Sequence, residues 1–314
     1  MSARLVLVTG APRSGTTAVG EMLALNRNVC TLHEPFNYLV GLRDIDRYFQ
    51  IPGSDECSAQ RIADYVEDFV NLRLRFKPGL FPREKGIRRA IKHVIGGRAV
   101  NSYRRCKMTP FLETILWKDP FACFAARELA DRHNVEVLFT VRNPYAVAAS
   151  FKRMTWGFDL DDIFRRLDSA GVFSLSDIAD DVWARRSESA INGALLWLAI
   201  YSNLPAWQHH NSRIRSVNLD DLVTQPLATY QALYSKLGLT WNERVARRIG
   251  RAYDSRSSSE QPAELKAHDR QRDLTRINHY WQTILNDNER QVIERIATPL
   301  WRQLVNEPGL GQCA

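Results

Sequence analysis

A short glycine-containing segment near the N-terminus constrains the fold of this chain most strongly. The apolar run "LVLV" at residues 5–8 has the composition of a strand buried on both faces, and it leads into the turn "TGAPRSGTT". The following segment, "TTAVGEMLALN", repeats apolar residues at helical spacing, so a helix is expected to begin near Gly15. Such a strand, turn and helix direct main-chain N–H groups and the positive end of a helix dipole at an anion. The segment therefore predicts an anion-binding loop.

This loop lacks the lysine that a P-loop nucleoside triphosphatase requires. Gly10 and Gly15 have the spacing of a phosphate-binding loop, but Thr16 and Thr17 stand where such an enzyme has Lys followed by Ser or Thr. We therefore expect the loop to hold an anionic group other than the γ-phosphate of ATP.

Net charge and cysteine content restrict the possible binding partners less than the loop motif does. The 314-residue chain carries a formal net charge of +8, which favours an anionic partner such as a nucleotide, a sulfated glycan, a membrane headgroup or a nucleic acid. Its five cysteines are odd in number and form no Cys-x-x-Cys pair, which argues against a disulfide framework or a thiolate zinc site. With no apolar run long enough to span a bilayer, a cytoplasmic location is expected.

Strand-like runs alternate with helical segments along the rest of the chain. Further strands are predicted at "NVCTL", "TILWK", "VEVLFTV" and within "RIRSVNLDDL", while "FACFAARELADRH" and "YAVAASFKRM" have helical patterns and "INGALLWLAIYSNLPAWQ" predicts one long buried helix. This alternation predicts an α/β protein, a P-loop-type three-layer fold whose central, mostly parallel sheet is flanked by helices. No linker divides residues 1–314, so a single domain is expected.

Charged residues follow four of these strands. Arg13, Glu34, Lys118 and Arg142 stand at strand ends, and the carboxyl ends of parallel strands meet at one edge of a sheet. Each one alone also fits a surface ion pair or a cap, but together they suit a polyanionic ligand and a reaction that removes one proton. If the strand continues through His33 and Glu34, these two side chains point to opposite sides and at most one faces the ligand.

Two of these motifs resemble sulfotransferases that use 3′-phosphoadenosine 5′-phosphosulfate (PAPS). "APRSGTT" resembles their 5′-phosphosulfate loop, and "VRNPYAVAAS" resembles their 3′-phosphate element, an arginine followed eight positions later by a serine. The resemblance implies PAPS as the sulfate donor, bound without a metal. It also implies the donor-binding residues Arg13, Ser14, Gly15, Thr16, Thr17, Arg142 and Ser150.

Other segments are similar to particular branches of that family. "VGEMLALNRNVCTLHEPFN" is similar to carbohydrate 6-O-sulfotransferases, and "KDPF" at Lys118 to tyrosylprotein sulfotransferases. This resemblance implies Glu34 as the general base, with Lys118 and Arg13 acting on the transferring group. Residues 43–112 match weakly, and we interpret them as a variable insertion on the acceptor side.

The acceptor is less constrained than the donor. Residues 83–107 contain nine Lys or Arg and one acidic residue, which fits either a solvated face or an anionic acceptor such as an acidic glycan or a glycolipid at a membrane surface. Nucleic acid is not expected, because aromatic residues are not interleaved with these charges. Phe36 and Tyr38 could stack on a sugar ring or simply pack. The Arg-Lys-Gly motif of the cytosolic small-molecule sulfotransferases is missing near the C-terminus, so Arg272 and Arg276 are candidates for the 3′-phosphate by charge alone.

Three alternatives to carbohydrate or glycolipid sulfation remain open. The acceptor could be a small alcohol, a phenol or a peptide tyrosine. The chain could be an atypical P-loop nucleotide kinase, which would bind ATP with magnesium. It could also be a non-catalytic anion-binding protein, which would tolerate the loss of Glu34 and Lys118.

Overall fold

The computed structural model describes residues 3–54, 57–78, 97–257 and 280–306. Part of the basic run, with Arg88, Arg89 and Lys92, lies outside the described residues, as do Arg272 and Arg276. The expectations attached to these five residues therefore stay predictions.

A five-stranded sheet organises the chain. Its strands are β1 Arg4–Thr9, β2 Val29–His33, β3 Thr114–Lys118, β4 Glu136–Val141 and β5 Ile214–Asn218. Their order in the sheet is β2-β3-β1-β4-β5, and the β2–β3, β1–β3 and β1–β4 pairs are parallel. All five residues of β3 are buried, as a strand covered on both faces requires. The predicted α/β class with a central, mostly parallel sheet flanked by helices is confirmed.

Helices connect and follow these strands. In chain order they are α1 Thr16–Leu23, α2 Ala59–Val70, α3 Arg98–Met108, α4 Ala126–His133, α5 Pro144–Met154, α6 Leu160–Ser169, α7 Asp180–Trp183, α8 Ser189–Tyr201, α9 Leu204–His210, α10 Leu219–Thr224, α11 Pro226–Lys236, α12 Glu243–Ser257, α13 Trp281–Ile284 and α14 Asp287–Asn306. Short 3₁₀ helices occupy Pro120–Ala125 and Leu175–Asp177.

Two of the predicted helices differ from the structure. The apolar segment predicted as one long helix is divided into α8 and α9, which are separated by Ser202 and Asn203. The side-chain amide of Asn203 donates to the main-chain oxygen of Val172 (2.6 Å), a tertiary contact that periodicity does not reveal. The segment after β3 begins with a 3₁₀ turn, since the Asp119 carboxylate caps the N–H of Phe121 (2.9 Å) before α4 starts.

The chain divides into two compact units built from alternating segments. The first comprises Met1–Gly10, Thr16–Phe139 and Trp207–Arg215, and it contains β1 to β3 with most of β4. The second comprises Ala11–Gly15, Thr140–Ala206 and Ser216–Ala314. The single domain expected over residues 1–314, with an insertion at 43–112, stays a prediction.

Candidate functional site

The loop predicted to bind an anion has the backbone conformation that its glycines suggest. Gly15 has a φ of 89°, a conformation that favours glycine, and a Cβ there would lie 2.5 Å from Cδ1 of Leu219, whose side chain would have to shift. Arg13 also adopts a left-handed φ of 76°, which is uncommon for a residue other than glycine. The Ala11 N–H donates to the Tyr201 hydroxyl (2.8 Å), which anchors the loop to α8. The loop is therefore held in one conformation by contacts from distant parts of the chain.

Arg13, Ser150 and Arg142 form one cluster within the second unit. Nε of Arg13 donates to the Ser150 hydroxyl (3.0 Å), and Nη1 of Arg142 donates to the main-chain oxygen of Arg13 (3.0 Å). The hydroxyl of the loop residue Ser14 forms a hydrogen bond with the Thr140 hydroxyl (2.8 Å). The two segments predicted to bind opposite ends of a donor thus contact each other directly through Arg13.

The electrostatics of this cluster favour an anion. Burial, as the largest cause, and the nearby Arg13 charge lower the pKa of Arg142 to about 10, against opposing effects of Tyr280 and Asp220. Arg142 is only 6% exposed, yet with this pKa it stays cationic at neutral pH. A bound phosphate or sulfate would reduce the repulsion between the two guanidinium groups.

Trp156 is a member of this cluster that the sequence did not single out. The guanidinium carbon of Arg13 lies 5.8 Å from the centroid of the Trp156 ring, and this side chain is 38% exposed. The cation–π contact steadies the long Arg13 side chain over the loop. A tryptophan two residues beyond a predicted helix is the only local signal, and it does not report contact with a loop far away in the sequence.

The last two loop residues begin the first helix of the other unit. Thr16 and Thr17 are the first residues of α1, as predicted from the helical spacing, and Thr16 is buried. Their N–H groups belong to the first turn of α1, where helical donors have no partner within the helix.

A second cluster lies at the ends of β2 and β3, within the first unit. These strands are neighbours, and the last residue of β2, His33, pairs in register with Lys118. Glu34 follows with a left-handed φ of 48°, its N–H donating to the main-chain oxygen of Lys118 (2.8 Å). Glu34 follows the strand, as predicted, but it does not continue the extended conformation, because this hydrogen bond turns the chain at that residue.

Glu34 and Lys118 form an ion pair. The Lys118 ammonium contacts Oε1 of Glu34, while the Asn37 side-chain amide donates to Oε2 (2.8 Å). The Lys118 side chain is 2% exposed and that of Glu34 19%, so the carboxylate keeps partial access to solvent. Burial raises the pKa of Glu34, but the charges of Lys118 and His33 and the hydrogen bonds outweigh it, lowering the pKa to about 2. Glu34 is therefore ionised at neutral pH.

Asp119 holds the turn that carries Glu34, and sequence reasoning missed it. Its fully buried carboxylate accepts hydrogen bonds from the N–H groups of Phe36 (2.6 Å) and Phe121 (2.9 Å) and from the Trp117 indole (3.3 Å). Burial and the Glu34 charge raise the pKa of Asp119 to about 7, against the three donors, which lower it. The adjacent Lys118 and the string "KDPF" were a usable signal, because an aspartate before a proline commonly caps the next segment.

Three other residues near Glu34 differ in their contacts and their burial. The His33 N–H donates to the Ser102 hydroxyl (2.9 Å) of α3, which joins this helix to the end of β2. Phe36 is completely buried and packs against Trp117 at 4.9 Å between ring centroids, so the alternative that it merely packs is the one observed. Tyr38 is 40% exposed.

The described part of the chain contains neither a candidate metal centre nor a membrane-spanning helix. There, no group of three or more His, Cys, Asp or Glu side chains could hold a metal ion. In the same residues no helix combines the length and apolar character needed to cross a membrane.

Solved structures of sulfotransferases resemble this chain at low sequence identity. Sulfotransferase STF9 from Mycobacterium avium is 11% identical to this chain with a TM-score of 0.45. The alignment covers 99% of this chain and 79% of the STF9 chain. A sulfotransferase domain from the curacin biosynthetic pathway is 15% identical with a TM-score of 0.45, covering 98% and 99%. Mouse sulfotransferase SULT7A1 complexed with PAP is 11% identical with a TM-score of 0.39, covering 100% and 89%.

A comparison with protein families gives the decisive result. No curated protein sequence matches the chain. A family model described as "Sulfotransferase family", however, matches residues 6–243, a range that begins within β1, includes the loop and extends beyond β5. The chain belongs to the sulfotransferase family.

Proposed function

We propose that this protein transfers the sulfuryl group of PAPS to an acceptor hydroxyl, most favourably one on a carbohydrate or glycolipid. The observation that carries the donor assignment is the joining of Arg13 to both Ser150 and Arg142 by hydrogen bonds of 3.0 Å. Two arginines and a hydroxyl brought together in this way suit a phosphate dianion such as the 3′-phosphate of PAPS, a group that ATP does not have. In this proposal the donor-binding residues are Arg13, Ser14, Gly15, Thr16, Thr17, Arg142 and Ser150.

The chemistry of the transfer matches the charges of the second cluster. The bond between sulfur and the bridging oxygen of the 5′-phosphate breaks, and a bond forms between sulfur and the acceptor oxygen. The acceptor proton passes to Glu34, whose carboxylate is ionised at neutral pH. Lys118 and Arg13 stabilise the negative charge that develops on the sulfonate and the leaving phosphate.

The Glu34–Lys118 ion pair adds a step to this mechanism. A carboxylate with a pKa of about 2 is a weak base, and Lys118 is the largest cause that lowers it. When the Lys118 ammonium turns towards an incoming sulfonate, Glu34 loses that stabilisation and its pKa rises. We propose that donor binding thereby makes Glu34 basic enough to accept the proton.

Calorimetry with adenosine 3′,5′-bisphosphate (PAP), the desulfated product, tests the donor assignment. We expect saturable binding without added metal, and absence of binding would refute PAPS as the donor. Magnesium-dependent binding of ATP in its place would favour the nucleotide-kinase alternative. Binding of PAP by a Glu34→Gln variant that transfers sulfate normally would leave the donor assignment intact and remove Glu34 as base.

Incubation with radiolabelled PAPS and a panel of extracted glycans, lipids, small alcohols, phenols and tyrosine peptides tests the acceptor. Label in the glycan or glycolipid fraction is the expected result. Label confined to small alcohols, phenols or peptides would replace the carbohydrate assignment. PAP binding without label in any fraction would favour a non-catalytic anion-binding protein. A cytoplasmic location is part of the same proposal, and cell fractionation tests it.

A further inference from the structure

The two most exposed large apolar side chains of the described residues lie three positions apart. Phe111 is 90% exposed and Met108 is 74% exposed, and the next most exposed such side chain, Leu39, reaches 53%. Single exposed apolar residues are common on soluble proteins and need no explanation. Met108 and Phe111, however, lie close together in the sequence, with the exposed Pro110 between them. We call residues 108–111 the apolar tip.

A fixed turn presents this apolar tip. Phe111 has a left-handed φ of 53°, which is rare for a bulky side chain. On one side of it, the Thr109 hydroxyl donates to the main-chain oxygen of Arg105 (2.7 Å); on the other, the Glu113 N–H donates to that of Asn28 (2.9 Å). Phe111 is thus held in solvent by a backbone bonded on both sides, and a backbone cost at an exposed residue points to a use for its side chain.

The helix before the tip carries charge on its outer face. α3 buries Ala99 and Cys106, and the Cys106 thiol donates to the main-chain oxygen of Thr31 in β2 (3.7 Å). Its exposed side chains include four cations: Arg98, Arg104, Arg105 and Lys107. Between residues 98 and 113 Glu113 is the only acidic residue, so the four cations leave a local charge of +3.

We propose that the apolar tip and the basic face of α3 dock on an anionic lipid membrane. Exposed Phe and Met side chains gain by entering the boundary between headgroups and acyl chains, while nearby cations are attracted to anionic headgroups. A nucleic acid would use the cations but would leave Met108 in water, so the joint arrangement favours a lipid surface. This proposal does not depend on the identity of the donor or the acceptor.

Sedimentation with lipid vesicles tests the docking. The full chain is incubated with vesicles of phosphatidylcholine alone and with vesicles that also contain phosphatidylglycerol, at low and at high salt. We expect binding to the anionic vesicles, little binding to the neutral ones, and weaker binding as salt screens the cations. Equal binding to both compositions, or binding to neither, would overturn the proposal.

A matched pair of variants tests the apolar contribution. Phe111→Asp keeps a residue that tolerates a left-handed φ, so the turn should survive, and binding should fall about tenfold or more. Leu227→Asp introduces the same change of charge at another exposed apolar residue, 45% exposed in α11, and should bind like the wild type. Phe111→Trp should retain binding. If Phe111→Asp binds as well as Leu227→Asp, the tip does not enter the membrane and the proposal fails.

Charge variants test the electrostatic contribution and separate lipid from nucleic acid. The double variant Arg98→Gln with Arg104→Gln should bind anionic vesicles about 30-fold more weakly and with a smaller dependence on salt. Unfolding temperatures of all variants, measured alongside, should stay close to that of the wild type because every altered side chain is exposed. Tight binding of a DNA duplex that Phe111→Asp leaves unchanged, together with loss of vesicle binding in its presence, would indicate a nucleic acid site and overturn the proposal.

Discussion

The cluster around Arg13 and the cluster around Glu34 use charge in opposite ways. In the first, Arg13 and Arg142 lie close enough for their charges to repel, and burial further weakens the hold of Arg142 on its proton. In the second, Lys118 and Glu34 neutralise each other in an ion pair, and the carboxylate pKa falls to about 2. One cluster brings two like charges together, and the other contains an ion pair of opposite charges.

This difference suggests a division between binding and chemistry. Two like charges held by the backbone favour an anion, since little reorganisation is needed when the anion binds. The Glu34–Lys118 ion pair contributes little to donor binding until Lys118 contacts the donor in place of Glu34. We therefore expect variants of the first cluster to change donor affinity and variants of the second to change turnover, and four substitutions test this distinction.

The largest effect is expected for Glu34→Gln. Removing the proton acceptor should lower kcat by ~10²–10⁴ while leaving PAP affinity within about twofold, because a general base contributes in the transition state. Sulfate transfer measured by radiolabel and PAP binding measured by calorimetry give the two numbers. Glu128→Gln is the matched control, since its side chain is 16% exposed and also pairs with a cation, Arg132. A large loss of PAP affinity in Glu34→Gln would break the division.

The second effect is expected for Lys118→Met. Loss of one charge-stabilising donor should reduce kcat about 10²–10³-fold. Without the Lys118 charge, burial should raise the pKa of Glu34 above the usual carboxylate value. Since the base must be deprotonated, activity is lost as pH falls through that pKa, and the acid limb of kcat/KM should move to higher pH. An unmoved acid limb would show that Lys118 does not control the Glu34 carboxylate.

Arg142→Gln should weaken PAP binding about ten- to hundredfold, because a hydrogen bond to a charged group is removed. Sulfate transfer at saturating PAPS should change much less. Arg166→Gln serves as the control, because Arg166 is also almost fully buried (2% exposed) but pairs with Asp162 (2.8 Å). It should lower the unfolding temperature and preserve PAP affinity. Equal effects of the two substitutions on PAP binding would mean that Arg142 acts only through the fold.

Ser150→Ala should have the smallest effect, up to about tenfold in PAP affinity, since one neutral hydroxyl is lost and Arg13 loses an acceptor at 3.0 Å. Calorimetry at several ionic strengths measures this loss. Ser202→Ala removes a hydroxyl that donates to the main-chain oxygen of Ala199 in α8 (3.2 Å), and it should leave PAP affinity unchanged. An effect on kcat larger than that on affinity would place Ser150 with the second cluster.

The strands were predictable because their signals are local. β1, β3 and β4 are continuous apolar runs, and each is buried along nearly its whole length. The division between α8 and α9 was not predictable in the same way, since the apolar pattern continues across Ser202 and Asn203, where the Asn203 side chain contacts the distant Val172. Local patterns report burial, and they do not report contacts between residues far apart in the sequence.

The candidate site was predictable in composition and not in geometry. Charged residues at strand ends identified Arg13, Glu34, Lys118 and Arg142, whose roles stay predictions. The left-handed turn at Glu34 depends on a main-chain oxygen 84 positions away, in Lys118. No pattern within a window of ordinary length contains both ends of such a contact.

The hydrogen bond between Ser102 and His33 has a consequence for how the enzyme would meet its acceptor. Ser102 belongs to α3, and His33 immediately precedes Glu34. One hydrogen bond of 2.9 Å therefore connects this helix to the peptide next to the proposed base. If α3 rests on a bilayer, the enzyme and a lipid-linked acceptor share a two-dimensional surface. The rate would then follow the number of acceptor molecules per unit of membrane area, and diluting the bilayer with inert lipid would slow turnover at constant total acceptor.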